Sequence, residues 1–146
     1  MNIRSRAVKA SKLHFVDTGL ACHLLGIRTP EQLALHPLRG ALFETWVASE
    51  VLKARLHAGR PPDLFHLRED RGMELDLLAE TRDRVYGVAV KSAATLAPDF
   101  FRHLAAFPTR IAKHRAHPRL VYGGDRRETR EGVEVIPWTD IQTVAW

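Results

Sequence analysis

A four-turn helical pattern followed at once by three short strand patterns constrains the fold of this chain more than any other feature. From Gly40 to His57, Leu42, Phe43, Trp46, Val47, Val51, Leu52 and Leu56 keep helical spacing, and Gly59 with Pro61 and Pro62 ends the run. Leu64 to Arg68, Glu74 to Glu80 and Val85 to Lys91 then read as strands, with Asp70-Arg71-Gly72 and Thr81-Arg82-Asp83-Arg84 as the turns between them. Such short connections predict an antiparallel meander. With 146 residues, 45% of them hydrophobic and 27% charged, the chain is long enough to bury a core without disulfides or a structural metal.

The flanks complete the element order. Residues 1–12 carry Arg4, Arg6, Lys9 and Lys12 with no acid and read as a basic linker or arm, leaving 13–146 as one domain. Leu13 to Val16 is a short extended piece, Asp17 caps a helix running from Thr18 toward Gly26, and Thr29-Pro30 opens another helical turn. Beyond the meander, Pro98-Asp99-Phe100 starts a helix with Phe101, Leu104 and Ala105 on one side, broken at Pro108 and resumed through Arg110 to Arg115. Leu120 to Tyr122 and Val133 to Ile136 form two further strands, joined by Gly123-Gly124 and a charged turn from Asp125 to Gly132. The order is helix, three strands, helix, two strands.

Composition excludes several classes. The single Cys22 cannot form an internal disulfide and has no zinc-site partners, which fits a reducing cytosol. No apolar run approaches a membrane span and the amino end has no signal-peptide core, so a cytoplasmic protein with no membrane contact is expected. The net charge of +5 favours anionic partners, nucleic acid and DNA first, although solubility alone accounts for such a charge equally well. Arg110, Lys113, Arg115 and Arg119, with His114 and His117 among them, form an acid-free stretch able to track a phosphate backbone; a solvated helix end explains it as readily. Arg126, Arg127 and Arg130 are expected on an exposed hairpin tip beside Glu128 and Glu131.

Three charged residues stand among apolar neighbours. Glu44 precedes Val47, Ala48 and Val51 by three, four and seven residues and shares their helical face, whereas Glu50 falls elsewhere on the wheel and is expected in solvent. An acid early in a helix is also favoured by the macrodipole, which would explain Glu44 without any site. Strict strand alternation puts Glu74, Asp76 and Leu78 on one face and Leu75 and Leu77 on the other; Val85, Gly87, Ala89 and Lys91 share a face of the next strand. Asp76 and Lys91 can then meet, either as a simple ion pair or, with Glu44, as a cluster suited to Mg2+ and to positioning water against a phosphate.

Longer blocks carry a resemblance. Lys9 to Leu20, Gly40 to Glu50, His66 to Asp76, Gly87 to Ser92 and the Ile136-Pro137-Trp138 ending resemble a domain of unknown function that follows the P-loop module in bacterial and archaeal AAA-type ATPases. That domain is similar to the PD-(D/E)xK nuclease-like superfamily. The resemblance implies an α/β, restriction-endonuclease-like fold, a central mixed sheet flanked by helices, with Glu44 as the helix acid, Asp76 as the strand acid and Lys91 as the motif lysine. Active members place a metal-binding acid two positions before the lysine, and here that position is Ala89. The backbone carbonyl of Val90 could still serve as a ligand, and Glu74 could stand in for the missing acid.

Three functions are therefore expected in order. The first is a non-catalytic accessory domain of an AAA-type ATPase that binds nucleic acid or docks the ATPase module, with no cofactor required. The second is a Mg2+-dependent nuclease using Asp76, Glu44 or Glu74 and Lys91. The third is an oligomerisation or protein-interaction module. The chain carries no G-x-x-x-x-G-K-[ST] run, so it is no P-loop ATPase by itself and reads as a fragment or remnant of a longer protein, with residues 4–12 as the former junction.

Overall fold

The computed structural model describes residues 12–68, 73–109 and 115–146. Helix α1 (Thr18–Leu24) starts where the Asp17 side chain accepts from the Leu20 N–H at 3.0 Å. Helix α2 (Pro30–Leu35) starts with Pro at its first turn and a reciprocal cap between Thr29 and Gln32. Both lie against α3 (Arg39–His57), the long helix expected from the apolar spacing. Strands β1 (Leu64–Arg68), β2 (Glu74–Glu80) and β3 (Val85–Lys91) occupy the expected positions and form the expected meander.

A 3-10 turn, Pro98–Phe101, leads into α4 (Arg102–Ala106), and β4 (Ala116–Tyr122) returns parallel to β3. The resumed helix expected over Arg110 to Arg115 falls, up to position 114, outside the described residues; Arg115 itself precedes β4. Phe101, at the end of the 3-10 turn, and Leu104, on α4, are buried as expected, but Ala105 is exposed. The charged turn expected between the last two strands contains a short strand, β5 (Glu128–Arg130), antiparallel to β6 (Val133–Pro137). Glu131 and Gly132 join them with φ of 53° and 77°, the paired left-handed conformation of a two-residue hairpin turn. A final 3-10 segment, Trp138–Thr143, follows β6.

The six strands lie in the order β1-β2-β3-β4-β6-β5, a mixed sheet with parallel pairing only between β3, β4 and β6. The chain is thus α/β, with helices on both sheet faces. Against α3 pack Leu77, Ala79, Tyr86, Val88, Val90, Val121 and Ile136; against α4 pack Leu75, Leu78, Val85, Ala89, Leu120, Val133 and Val135. Strands β3 and β4 are buried on both faces, as parallel strands between helix layers must be.

One irregularity in β2 positions the site. Leu67 pairs with Leu75 and Phe65 with Leu78, so two steps of β1 face three of β2. The extra residue is a bulge, and it breaks strict alternation. Leu75 and Leu78 consequently share the α4 face and Leu77 turns to the α3 face, which corrects the expected grouping of Glu74, Asp76 and Leu78 against Leu75 and Leu77.

Candidate functional site

The bulge carries Asp76. Regular β2–β3 pairing runs as far as Leu77 with Val88, and two residues further along β3 the Val90 N–H donates to Asp76 Oδ2 at 2.7 Å. A side chain thus supplies the acceptor that the interrupted ladder does not. From α3, Glu44 reaches the same point. It stands beyond the helix's first turn, which contains no acid, so the macrodipole does not account for its placement.

Between the two carboxylates lies Lys12. Its Nζ is 2.5 Å from Glu44 Oε1 and 3.6 Å from Asp76 Oδ1, with the acids' side chains 18% and 15% exposed and that of Lys12 33%. The approach to Glu44 Oε1 is that of an ion pair, since this buried oxygen has no aligned hydrogen bond. Burial opposes the charge on Lys12, but Glu44, with Asp76 and Glu74 behind it, outweighs burial and raises the Lys12 pKa above its usual 10.5. The ammonium therefore stays protonated and offers no base. Beside it, His14 Nδ1 lies 3.2 Å from the Thr45 hydroxyl, and burial, assisted by the charge of Lys12, lowers the His14 pKa below 6.5 against the opposite pull of Glu44. A cleft of about 270 Å³ adjoins the cluster, with Lys12, His14, His66 and Asp76 on its wall.

Glu44 and Asp76 are brought together, but Lys91 is not brought to them. Its ammonium stands over the Phe100 ring, 5.6 Å from the centroid, on the face that Ala89 shares and α4 covers. Neither the expected cluster with Asp76 nor the simpler Asp76–Lys91 ion pair forms. The physical reason is the bulge, which turns Asp76 toward α3 while regular β3 keeps Lys91 on the other face. Glu74 is exposed at the strand start and no three Asp, Glu, His or Cys side chains gather into a metal-binding group among the described residues. Val90 is engaged through its N–H. The resemblance implies a divalent ion here, and the donors as arranged do not fit one: two carboxylate oxygens face an ammonium, a third is bonded to an amide, and Ala89 offers a methyl.

The expected basic interface also changes. Arg119, on β4, is 6% exposed and its guanidinium is stacked 4.0 Å from the Tyr86 ring centroid and 4.7 Å from that of Trp146. It donates to Glu134, its cross-strand partner, at 2.9 Å and to the Ala145 carbonyl at 2.6 Å. A guanidinium so enclosed is a core element, so Arg119 is withdrawn from any phosphate-binding set. Alternation with Leu120 put Arg119 on the Val121 side of the strand, which was the signal in the sequence for its burial. Arg115 clamps the β2–β3 turn, bonding Glu80 Oε1 at 3.2 Å and the Arg82 carbonyl at 3.2 Å. Arg110 and Lys113 lie outside the described residues. Arg126 and Arg127 are exposed as expected, Arg127 paired with Glu134 at 2.7 Å.

Glu50 also departs from expectation. Rather than lying in solvent it is 6% exposed, bonded to Lys53 and, at 2.6 Å, to Gln142 Nε2. Arg55, 2% exposed, donates to the carbonyls of Pro61 at 3.0 Å and Glu80 at 3.1 Å and ties the end of α3 to the sheet.

Residues 39–141 match a family described as a domain of unknown function, DUF4143. The chain is 32% identical over 126 residues to an uncharacterised protein of Mycobacterium bovis, Mb2031c, and equally to one of Mycobacterium tuberculosis, Rv2008c. The alignment covers 86% of this chain and 27% of each relative, so the chain spans about a quarter of the length of the curated relatives it matches. No solved structure matches the sequence.

Proposed function

The chain belongs to the DUF4143 family, and from that premise we propose that it is a non-catalytic, nuclease-like accessory domain, with a PD-(D/E)xK ancestry, that docks an AAA-type ATPase module. The observation that carries this reading is apolar exposure. Leu13, Phe15, Val16, Leu20, Leu24, Leu25, Leu35 and Leu38 are all more than two-fifths exposed, Leu35 at 88% and Leu13 at 93%. They fall within one stretch of the sequence, ahead of or just at the start of α3, and Phe15, Leu24, Leu25 and Leu38 border a groove of about 290 Å³ against Leu42. Isolated exposed leucines mean nothing, but so dense a group marks an interaction surface. The mixed sheet with α3 carrying Glu44 onto the Asp76 strand supports the nuclease-like ancestry, and the cation between those acids supports loss of catalysis.

Purified chain and an AAA-type ATPase module from a longer relative, mixed in trans, test the reading by co-elution. Retention of the wild type and its loss in Leu24→Asp/Leu35→Asp is the expected outcome. Absence of retention, together with DNA binding that weakens steeply between 50 and 200 mM salt, would transfer the function to nucleic acid. Mg2+-stimulated cleavage of DNA that disappears in Asp76→Asn would restore the nuclease, and a defined homo-oligomer with neither activity would leave a self-association module.

A further inference from the structure

We propose that Lys12 is the resident cation of the Glu44–Asp76 pair, and that a divalent ion at these carboxylates and the seated segment from Lys12 to Val16 exclude one another. The inference is independent of the docking partner and concerns what the site itself can hold. Two half-buried carboxylates directed at one point need positive charge there, because their mutual repulsion is poorly screened away from water. Lys12 supplies it, touching Glu44 Oε1 at 2.5 Å and facing Asp76 Oδ1 at 3.6 Å, so that its ammonium occupies the point on which the two carboxylates converge. The remaining Asp76 oxygen accepts from the Val90 N–H, and a dication brought in beside the ammonium would meet its repulsion at a few ångströms.

Among the described residues, little beyond the two acids holds the ammonium in place. Of the segment behind it, Leu13, Phe15 and Val16 are 93%, 53% and 70% exposed, and His14 to Thr45 is its side-chain hydrogen bond to the body. A segment with so few buried contacts opens at low free-energy cost. When it leaves, Glu44 and Asp76 remain on α3 and on β2, which β1 and β3 hold on either side, beside a water-accessible cleft. A pair of carboxylates completed by water is a sufficient, weak site for Mg2+ or Mn2+. The site therefore exchanges one cation for another, and the exchange is coupled to the position of the chain entering α1.

Mn2+ titration of the full chain, followed by loss of the free-ion EPR signal, tests the exclusion. Wild type is expected to take up no Asp76-dependent Mn2+ at about 1 mM, and Lys12→Met to take up one equivalent that is lost again in Lys12→Met/Asp76→Asn. Asp76-dependent uptake by the wild type, with the rate of tryptic cleavage after Lys12 unchanged, overturns the proposal, as does failure of folded Lys12→Met to bind. Should Lys12→Met fail to fold, Asp76→Asn in the wild-type background decides, since asparagine keeps an acceptor for the Val90 N–H and removes only the charge. Tryptic cleavage after Lys12 about fivefold faster than in the wild type supports the clamp; an unchanged rate refutes it.

Discussion

Toward α4 the sheet presents Leu75, Leu78, Val85, Ala89, Leu120, Val133 and Val135, and the helix with the 3-10 turns at its two ends answers with Leu104, Phe101 and Phe107. Toward α3 it presents a comparable apolar set, but Arg55, Arg119 and Glu50 are buried within that layer and Asp76 and Glu44 stand at its edge. Shape governs the first face: a Cβ on Gly87 would lie 2.6 Å from the Phe107 ring, so the ring is seated directly on backbone. Charge compensation governs much of the second, where each buried ion has a named partner. The lesson is that one sheet can separate a face that merely packs from a face able to respond to ions and protons.

Three measurements would sharpen or break this contrast. Leu104→Ala, at a fully buried site on the dry face, is expected to lower unfolding free energy by about 3 kcal/mol in urea denaturation, and by the same amount at pH 5 and pH 7. Arg119→Ala on the charged face should cost about 2 kcal/mol, through lost stacking on Tyr86 and Trp146 and a weakened Glu134 partner. Arg119→Met should recover part of that loss by refilling the volume between the rings, because Glu134 retains Arg127. Equal losses in the Ala and Met variants would show that the charge, rather than the stack, holds the face together.

The third and smallest effect is the pH dependence. Burial opposes ionisation of Glu134 and Glu50, but the hydrogen bonds and charges of Arg127 and Arg119, and of Lys53 and Gln142, prevail and lower both pKa values below 4.5. The stability they contribute is therefore full above 4.5 and is lost as pH falls through the lower folded values. Burial likewise lowers the pKa of His14 and His117 below 6.5, so the unfolded chain takes up protons first and stability begins to decline as pH drops through 6.5. Lys12 acts in the opposite range: with its pKa raised, its contribution is present below 10.5 and disappears as pH rises through the folded value. Glu134→Gln should flatten the acid limb, and an unaltered limb would assign it elsewhere.

Much of the architecture was legible because it depends on local pattern. The helix spacing from Leu42 to Leu56 and the strand runs ending at Arg68, Glu80 and Lys91 gave elements within a residue of those observed. The capping of α1 by Asp17 and the start of α2 at Pro30 were equally readable, since the signal lies within a few residues of the effect. Strand β5 escaped notice because Glu128-Thr129-Arg130 lacks apolar alternation and is a strand only through pairing with β6. Lys12 escaped for a different reason. In the sequence it is the last member of a basic run, and nothing local distinguishes a solvated lysine from one inserted between two acids that lie 32 and 64 positions away.

What the sequence by itself determined is the order and extent of most elements, the meander, and the placing of Glu44 and Asp76 on elements that can meet. Hydrophobic period and capping act over a few residues, and a single chain displays them in full. Tertiary structure alone decided which cation those acids would have: a one-residue bulge in β2 turned Asp76 toward α3, left Lys91 over Phe100, and opened the place that Lys12 fills. Charge compensation depends on distances of a few ångströms between remote residues, and strand register, which fixes those distances, is settled only when the sheet assembles.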